Sequence, residues 1–161
     1  MIDGYNLIGI HHADLRKQRE RLVESLIAYG KRKGHDITVV FDGWKTGEGK
    51  ETRTVTGGIT VIYTKIGENA DSVIKRIIAS VKREWLVVTS DRDIASSVWA
   101  SGSIPVPADA FLAALEKKGF PCSEFSGEEV SEEEYCEHQR KGNPRQPSKK
   151  EKAIMRALRK L

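Results

Sequence analysis

The sequence has little of what several classes of protein require. Its two cysteines, Cys122 and Cys136, are too few for a disulfide framework and have no histidine at a metal-ligand spacing. No apolar stretch approaches the ~20 residues that a membrane span needs. Asp3 and Asn6 interrupt the N-terminal region where the apolar core of a signal peptide would start. We therefore expect a cytoplasmic protein with reduced thiols and no membrane partner.

Motifs for nucleotide binding and for nucleophilic catalysis are missing as well. Neither GxxxxGK[ST] nor GxGxxG occurs, so a nucleotide cofactor is unsupported. Neither cysteine follows a predicted strand, and no Ser/His/Asp or Cys/His arrangement is evident. His11 and His12 follow the first predicted strand, where they could supply a general base or simply lie at the start of a helix.

What the sequence does contain is an alternation of short apolar runs with amphipathic segments. Runs of four or five aliphatic residues are typical of buried parallel strands, and helical periodicity fills the intervals. This pattern predicts an α/β fold with a doubly wound, mostly parallel sheet, helices on both faces and strand order 3-2-1-4-5. The predicted strands start near Ile2, Ile37, Ile59, Trp85 and Ile104, and the predicted helices cover about 13–33, 69–81, 93–100 and 108–118.

Residues 43–58 interrupt this alternation. They are rich in glycine and include three cations, Lys45, Lys50 and Arg53, as in a long exposed loop. Loops longer than about 12 residues in a compact domain are usually functional or disordered. Residues 52–56 could instead form one arm of a hairpin that turns at the adjacent glycines.

Carboxylates follow three of the predicted strands. Asp3 ends the first strand, Asp42 the second, and Asp91 and Asp93 the fourth. Ligands of open parallel sheets collect outside the carboxyl ends of the strands, where these side chains would meet. Asp71, in the first turn of a predicted helix, would join them. Such a cluster cannot stay ionised without cations, which predicts a site for a hard cation such as Mg²⁺.

Each of these residues also has a plainer interpretation. Asp91 could cap the helix that follows it, and Asp71 could favour a helix N-terminus through the helix dipole. Asn6 and Ser90 could orient a ligand or a phosphate oxygen, or could form local turn hydrogen bonds. The number of carboxylates at one edge, rather than any one of them, favours the metal site.

The composition changes near the C-terminus, so we divide the chain into a domain of residues 1–120 and a charged extension of residues 121–161. An acidic run is followed by a basic tail that could be solvated, could fold back on the acidic run, or could bind nucleic acid. Ser148 and Glu151 form a capping box for a final helix. The nine cations of the tail are Arg140, Lys141, Arg145, Lys149, Lys150, Lys152, Arg156, Arg159 and Lys160.

The three tryptophans are expected to have different roles. Trp44 directly follows Asp42 and the glycine after it, at the start of the long loop, where it could stack on an unpaired base. Trp85 and Trp99 are expected in the core.

Four blocks of the sequence resemble the NYN branch of the PIN-like nucleases, and within it the YacP-like bacterial proteins. They are IDGYNLI at 2–8, VVFD at 39–42, ENAD at 68–71 and VTSDRD at 88–93, in the family's order. The resemblance covers about residues 1–115. Relatives usually have threonine where this chain has Asn69, and asparagine keeps the capping function.

The resemblance implies a PIN-like fold and metal-dependent cleavage of RNA phosphodiester bonds, with Mg²⁺ or Mn²⁺ as cofactor. Some YacP-like members are ribosome-associated endoribonucleases, so the ribosome is an implied partner. The residues that match the family's acidic metal site are Asp3, Asp71, Asp91 and Asp93, and those that match its accompanying positions are Asp42 and Asn6.

Two hypotheses follow. The first is an endoribonuclease that prefers single-stranded RNA and uses one or two metal ions to activate water for in-line attack. Lys45, Lys50, Arg53 and Arg92 would hold flanking phosphates, and the basic tail would add affinity that falls with salt. The second is an RNA- or ribosome-binding module with a weak or inactive metal site. A phosphatase is less favoured, because Asp3-Gly4-Tyr5 lacks the second carboxylate of an Asp-x-Asp nucleophile motif.

Overall fold

The structure, a computed structural model, describes residues 1–8, 14–43, 49–81, 83–116 and 148–161. These residues form six strands and six helices, which alternate along most of the chain. The strands are β1 (Ile2–Asp3), β2 (Thr38–Phe41), β3 (Thr52–Thr56), β4 (Ile59–Tyr63), β5 (Leu86–Val88) and β6 (Ile104–Val106). The helices are α1 (Gly4–Ile8), α2 (Leu15–Lys33), α3 (Ala70–Ser80), α4 (Arg92–Ala100), α5 (Ala108–Glu116) and α6 (Lys149–Lys160).

The strands form one sheet in the order β3-β4-β2-β1-β5-β6. The five predicted strands therefore lie in the predicted order, and all their pairings are parallel. β3 is the additional strand, and it pairs antiparallel with β4. The turn between them has positive φ at Gly57 and Gly58, at 60° and 92°, a conformation that glycine adopts without steric cost. The hairpin interpretation of residues 52–56 is thus confirmed.

Both faces of the sheet are buried, which explains why the strands read as continuous apolar runs. Successive side chains point to opposite faces, so Val39 and Phe41 pack with α1, α2 and α5 while Val40 packs with α3 and α4. Trp85 belongs to the second of these clusters, as expected, and is 7% exposed.

Local signals fix most helix ends. Gly34 ends α2 in the left-handed conformation, with φ of 67°, and Asn69 caps α3 by accepting a hydrogen bond from the Ser72 N–H at 3.2 Å. Asp91 caps α4 in the same way. α1 is an element that the periodicity does not predict, because five residues show too little of a helical period. No helix in the described ranges is long and apolar enough to cross a membrane.

The final helix packs onto the body of the domain. The predicted capping box is present, with Ser148 and Glu151 bonding each other's backbone N–H groups. Ala157 is buried against the α5 side of the core. The Tyr29 hydroxyl donates to the Leu161 carbonyl at 2.8 Å. The predicted boundary at residue 120 and the acidic run fall outside the described residues, so the division into two parts stays a prediction.

Candidate functional site

Four aspartates meet at the carboxyl edge of the sheet. Asp3 comes from the end of β1, Asp42 follows β2, Asp91 follows β5, and Asp71 lies in the first turn of α3. Each interacts electrostatically with at least one other: Asp71 and Asp42 act on Asp3, and Asp91 acts on Asp71. We call these four residues the acidic cluster.

Asp3 is the most deeply buried member of the acidic cluster. Only 6% of the surface of Asp3 is exposed to solvent. Burial raises the pKa of Asp3 from 3.8 to about 6, and repulsion from Asp71 and Asp42 acts in the same direction. Hydrogen bonds from the Asn6 backbone N–H at 3.3 Å and the Asn6 side-chain amide at 3.5 Å oppose this rise. A buried carboxylate with so high a pKa favours a cation or a proton beside it.

Asp42 and Asp71 connect β2 to the start of α3. A carboxylate oxygen of Asp42 accepts a hydrogen bond from the Ala70 N–H, which is one of the free donors of the α3 N-terminus. Burial raises the pKa of Asp42 despite this bond. Burial also raises the pKa of Asp71, and repulsion from Asp91 adds to the rise. The pKa values of three cluster members are therefore shifted in the same direction.

Asp91 combines a capping role with a position in the cluster. Its Oδ1 accepts hydrogen bonds from the N–H groups of Asp93 at 2.7 Å and Ile94 at 2.9 Å. The plainer interpretation of Asp91 as a helix cap is thus correct. Because both bonds use Oδ1, capping is compatible with binding of a ligand through Oδ2.

Asp93 is held by a lysine that the sequence analysis does not single out. Its side chain is 79% exposed and its Oδ2 lies 2.5 Å from the Lys75 ammonium. That hydrogen bond raises the pKa of Lys75, and the charges of Asp71 and Asp91 also raise it. Lys75 thus sits in the field of the acidic cluster. Its spacing, one helical turn after Asp71, is the signal that could have identified it.

Asn6 and Thr89 join β1 to β5 behind the aspartates. The Asn6 amide donates to the Thr89 hydroxyl at 3.4 Å and its Oδ1 accepts from the Ser90 N–H at 3.2 Å. The Thr89 hydroxyl also accepts from the Asp91 N–H at 3.1 Å. Thr89 is buried. The sequence analysis does not identify it as a site residue, because a β-branched residue at this position is typical of the end of a strand. The Ser90 hydroxyl accepts from the Ala108 N–H at 3.3 Å, where α5 begins.

The donor set fits Mg²⁺ or Mn²⁺ by its chemistry, because it consists of oxygen atoms. In the described part of the chain no three acidic, histidine or cysteine side chains are close enough to form a ready metal site. The ion pairs formed there include Asp93 but no member of the acidic cluster. The negative charge of the cluster is therefore available to a cation.

The other predicted residues are dispersed. Arg92 is exposed at the start of α4, beside the cluster. Arg53 is exposed on β3, opposite Ile62 in the hairpin. Trp44, Lys45 and the two adjacent histidines after α1 lie outside the described residues, so their roles stay predictions.

Glycines follow two of the cluster aspartates where the chain passes close to its neighbours. A Cβ on Gly43 would lie 1.6 Å from the Thr64 carbonyl oxygen, and the Gly43 N–H donates to the Thr64 hydroxyl at 2.8 Å. A Cβ on Gly4 would lie 2.2 Å from the Phe41 ring. The direction of the chain after Asp3 and Asp42 therefore depends on the absence of a side chain.

We expect Gly43→Ala to lower the free energy of unfolding by about 2–3 kcal/mol, because the methyl group would collide with backbone rather than with a flexible side chain. Urea unfolding followed by circular dichroism measures this. Gly49→Ala is the matched control, since nothing lies within 4 Å of the added Cβ, and it should change stability by less than about 0.5 kcal/mol. Equal effects of the two substitutions would contradict the close approach at Gly43.

Comparisons with known proteins agree with this architecture. The family model of the YacP-like NYN domain matches residues 1–160. Two crystal structures of Rae1 (YacP) from Bacillus subtilis, one of them of a single-residue mutant, are similar to the chain at 24% sequence identity. Their TM-scores are 0.57 and, for the mutant, 0.59, over 72% of this chain and 72% and 73% of theirs. Among curated proteins there is no match.

Proposed function

Because the chain belongs to the YacP-like NYN domain family, we propose that it is a metal-dependent endoribonuclease that cleaves single-stranded RNA at the acidic cluster. The observation that carries the proposal is the meeting of four aspartates from four elements at one sheet edge, three of them with a raised pKa. Such an arrangement opposes folding unless it serves to bind cations.

The roles of the residues follow from their contacts. Asp3, Asp71 and Asp91 would hold Mg²⁺ or Mn²⁺, which when bound supplies the charge that activates water and offsets the charge of the phosphate. Asp42 positions the start of α3, and with it Asp71, through the Ala70 N–H. Asn6 orients Asp3. Hydrolysis by this route leaves a 5′ phosphate and needs no protein nucleophile.

Asp93 belongs to the same proposal with a separate function. Its carboxylate is exposed and its Oδ2 is paired with Lys75, so a cation nearby would share this carboxylate with the ammonium group. We assign it, with Lys75, to the outer side of the site, where the pair adjusts how much negative charge faces the cation.

A cation-lined cleft beside the cluster supports RNA as the substrate. It lies between α2 and the β3-β4 hairpin, has a volume of about 460 Å³, and reaches the carboxyl edge of the sheet at Tyr63 and Thr64. Arg16, Arg19 and Lys50 line it together with the threonines of β3. Glu20 lines it as well and pairs with Arg16 at 3.1 Å, which leaves an excess of positive charge. Cations and hydroxyls are the usual donors to phosphate oxygens, so the cleft would hold the RNA backbone on one side of the scissile phosphate.

The test is cleavage of an end-labelled single-stranded RNA by the full chain, with Mg²⁺, Mn²⁺ or EDTA. We expect cleavage with either metal, none in EDTA, products with 5′ phosphates, and slower cleavage of duplex RNA. Equal cleavage in EDTA would exclude the proposed chemistry.

A second candidate function is an RNA- or ribosome-binding module with a weak or inactive metal site. Two observations favour it: the described residues form no ready metal site, and Asp93 is already paired with a lysine. Salt-sensitive RNA binding without cleavage under any metal would support this candidate. Ribosome association remains a prediction from the resemblance, tested by co-sedimentation with ribosomes. A cytoplasmic location remains a prediction from the composition and the N-terminal sequence.

Lys75 provides a prediction about metal affinity that does not depend on turnover. Lys75→Met removes a positive charge from the field of the cluster and releases Asp93, so Mn²⁺ should bind about threefold to tenfold more tightly. Electron paramagnetic resonance of free Mn²⁺ measures the dissociation constant. Lys75→Arg keeps the charge and should bind Mn²⁺ like the wild type; an affinity unchanged in both variants would show that Lys75 does not face the metal position.

A further inference from the structure

A second cleft opens on the other side of the acidic cluster. The strand order places β5 and β6 beyond β1, away from the hairpin, and the cleft lies there, between α4, the end of β6 and α6. Its volume is about 460 Å³, within the ~300–1,000 Å³ typical of small-ligand sites. The lining residues that matter here are Asp91, Arg92, Trp99, Pro107, Asp109 and Ile154.

Trp99 provides the chemical character of this cleft. The residue was expected in the core, and the structure leaves it half-buried with its side chain lining the cleft. Pro107 and Ile154 add apolar surface. The Lys150 ammonium lies over the Trp99 ring, 5.5 Å from its centre, and a base stacking on that face would replace this cation–π contact. Proteins that bind single-stranded nucleic acid stack its bases on aromatic side chains near cations, and the half-buried indole of Trp99 with its nearby ammonium has both elements.

The charges indicate which part of a nucleotide would enter. Two carboxylates, Asp91 and Asp109, line the cleft with one cation, Arg92, so the lining is net negative and disfavours a phosphate inside it. Arg92 and Lys150 are both exposed, and these two cations could bind the phosphates of a passing strand. The lining therefore fits a neutral, flat base in the cleft with its phosphates outside.

We propose that this cleft, the Trp99 cleft, binds one nucleobase of the RNA strand next to the phosphate at the acidic cluster. This inference rests on the proposed function for its substrate class. It also rests on continuity, because Asp91 lines the cleft and belongs to the cluster. Neighbouring strands lie about 4.8 Å apart, so β6 is roughly 10 Å from β1, a distance that an adjacent nucleotide spans.

The experiment measures RNA binding in EDTA, where no metal-dependent cleavage takes place. A short single-stranded RNA is compared with a series in which one base at a time is replaced by an abasic spacer. For the wild type, one position in the series should lower affinity about tenfold, the usual effect of losing a stacked base. Trp99→Ala should lower affinity for the intact RNA by the same factor and be insensitive to the spacer at that position.

Two variants keep the test sharp. Trp99→Phe retains an aromatic face and should restore most of the affinity and the sensitivity to the spacer, which excludes a mere folding defect. Met155→Ala removes an exposed side chain from α6 next to Ile154 and should bind like the wild type. The proposal is overturned if the spacer lowers the RNA affinity of Trp99→Ala as much as that of the wild type. It is also overturned if a spacer at no position lowers the affinity of the wild type.

The outcome is separable from that of the nuclease proposal. If Trp99 is coupled to one base but no RNA is cleaved, base binding in the Trp99 cleft is supported and the nuclease proposal is contradicted. If RNA is cleaved without such coupling, the nuclease proposal is supported and base binding in the Trp99 cleft is contradicted.

Discussion

Asp91→Asn is expected to reduce metal-dependent RNA cleavage by at least about 100-fold while leaving the protein folded. Loss of a group that only supports a metal ligand typically costs 10- to 100-fold, and loss of a ligand charge should cost more. Asparagine caps helices about as well as aspartate, so the bonds from the Asp93 and Ile94 N–H groups can persist. We expect the free energy of unfolding to change by less than about 1 kcal/mol.

The matched control for Asp91→Asn is Asp36→Asn. Asp36 precedes β2, at the opposite edge of the sheet, and lies 3.6 Å from Arg83 in an exposed ion pair. Both substitutions remove one negative charge, and asparagine preserves the capping bonds at position 91, so the comparison tests proximity to the acidic cluster. Initial cleavage rates at saturating Mn²⁺ should be unchanged in Asp36→Asn. If Asp91→Asn cleaved RNA at the wild-type rate, Asp91 would not be a metal ligand.

Asp3→Asn is expected to abolish the proposed RNA cleavage and at the same time to stabilise the fold at neutral pH. Burial raises the pKa of Asp3 from 3.8 to about 6, so the folded protein binds a proton at this position more tightly than the unfolded chain does. The free energy of unfolding therefore falls as pH rises from about 4 to about 6, and the loss is complete above that range. A pKa shift of this size corresponds to about 2–3 kcal/mol.

Urea unfolding between pH 4 and pH 8, without metal, measures the effect. Asp3→Asn lacks the titrating group, so it should match the wild type near pH 4 and exceed its stability by about 2–3 kcal/mol at pH 7. Added Mg²⁺ should stabilise the wild type and have less effect on the variant, because binding to the native state alone raises stability. A pH-independent difference between the two proteins would show that Asp3 is not buried as a strained carboxylate.

The strands and their order could be predicted from the sequence because they depend on local apolar patterns and on general rules of chain topology. Apolar runs such as the one before Asp42 mark strands buried on both faces, and right-handed crossovers leave few ways to order them. The hairpin at residues 52–56 followed from its paired glycines. α1 was not accessible, since a helix of five residues between Asp3 and the next segment has no measurable period.

The site was accessible only in outline. Strand ends predicted that Asp3, Asp42 and Asp91 would share an edge, because that depends on backbone direction. The pairing of Asp93 with Lys75 depends instead on how two neighbouring helices, α3 and α4, face each other, and no spacing within one helix encodes it. For the same reason Trp99 was placed in the core: its burial depends on α6, which begins about fifty residues later in the chain.

The central position of β1 has a consequence for synthesis of the protein. β1 pairs with β2 on one side and with β5 on the other, through the Val88 N–H bond to the Met1 carbonyl. A ribosome must therefore translate past β5 before the strand that carries Asp3 has both partners, and the acidic cluster cannot assemble earlier. Pairings between distant segments form slowly. The nascent chain thus emerges without a complete acidic cluster, which forms only when most of the domain has been made.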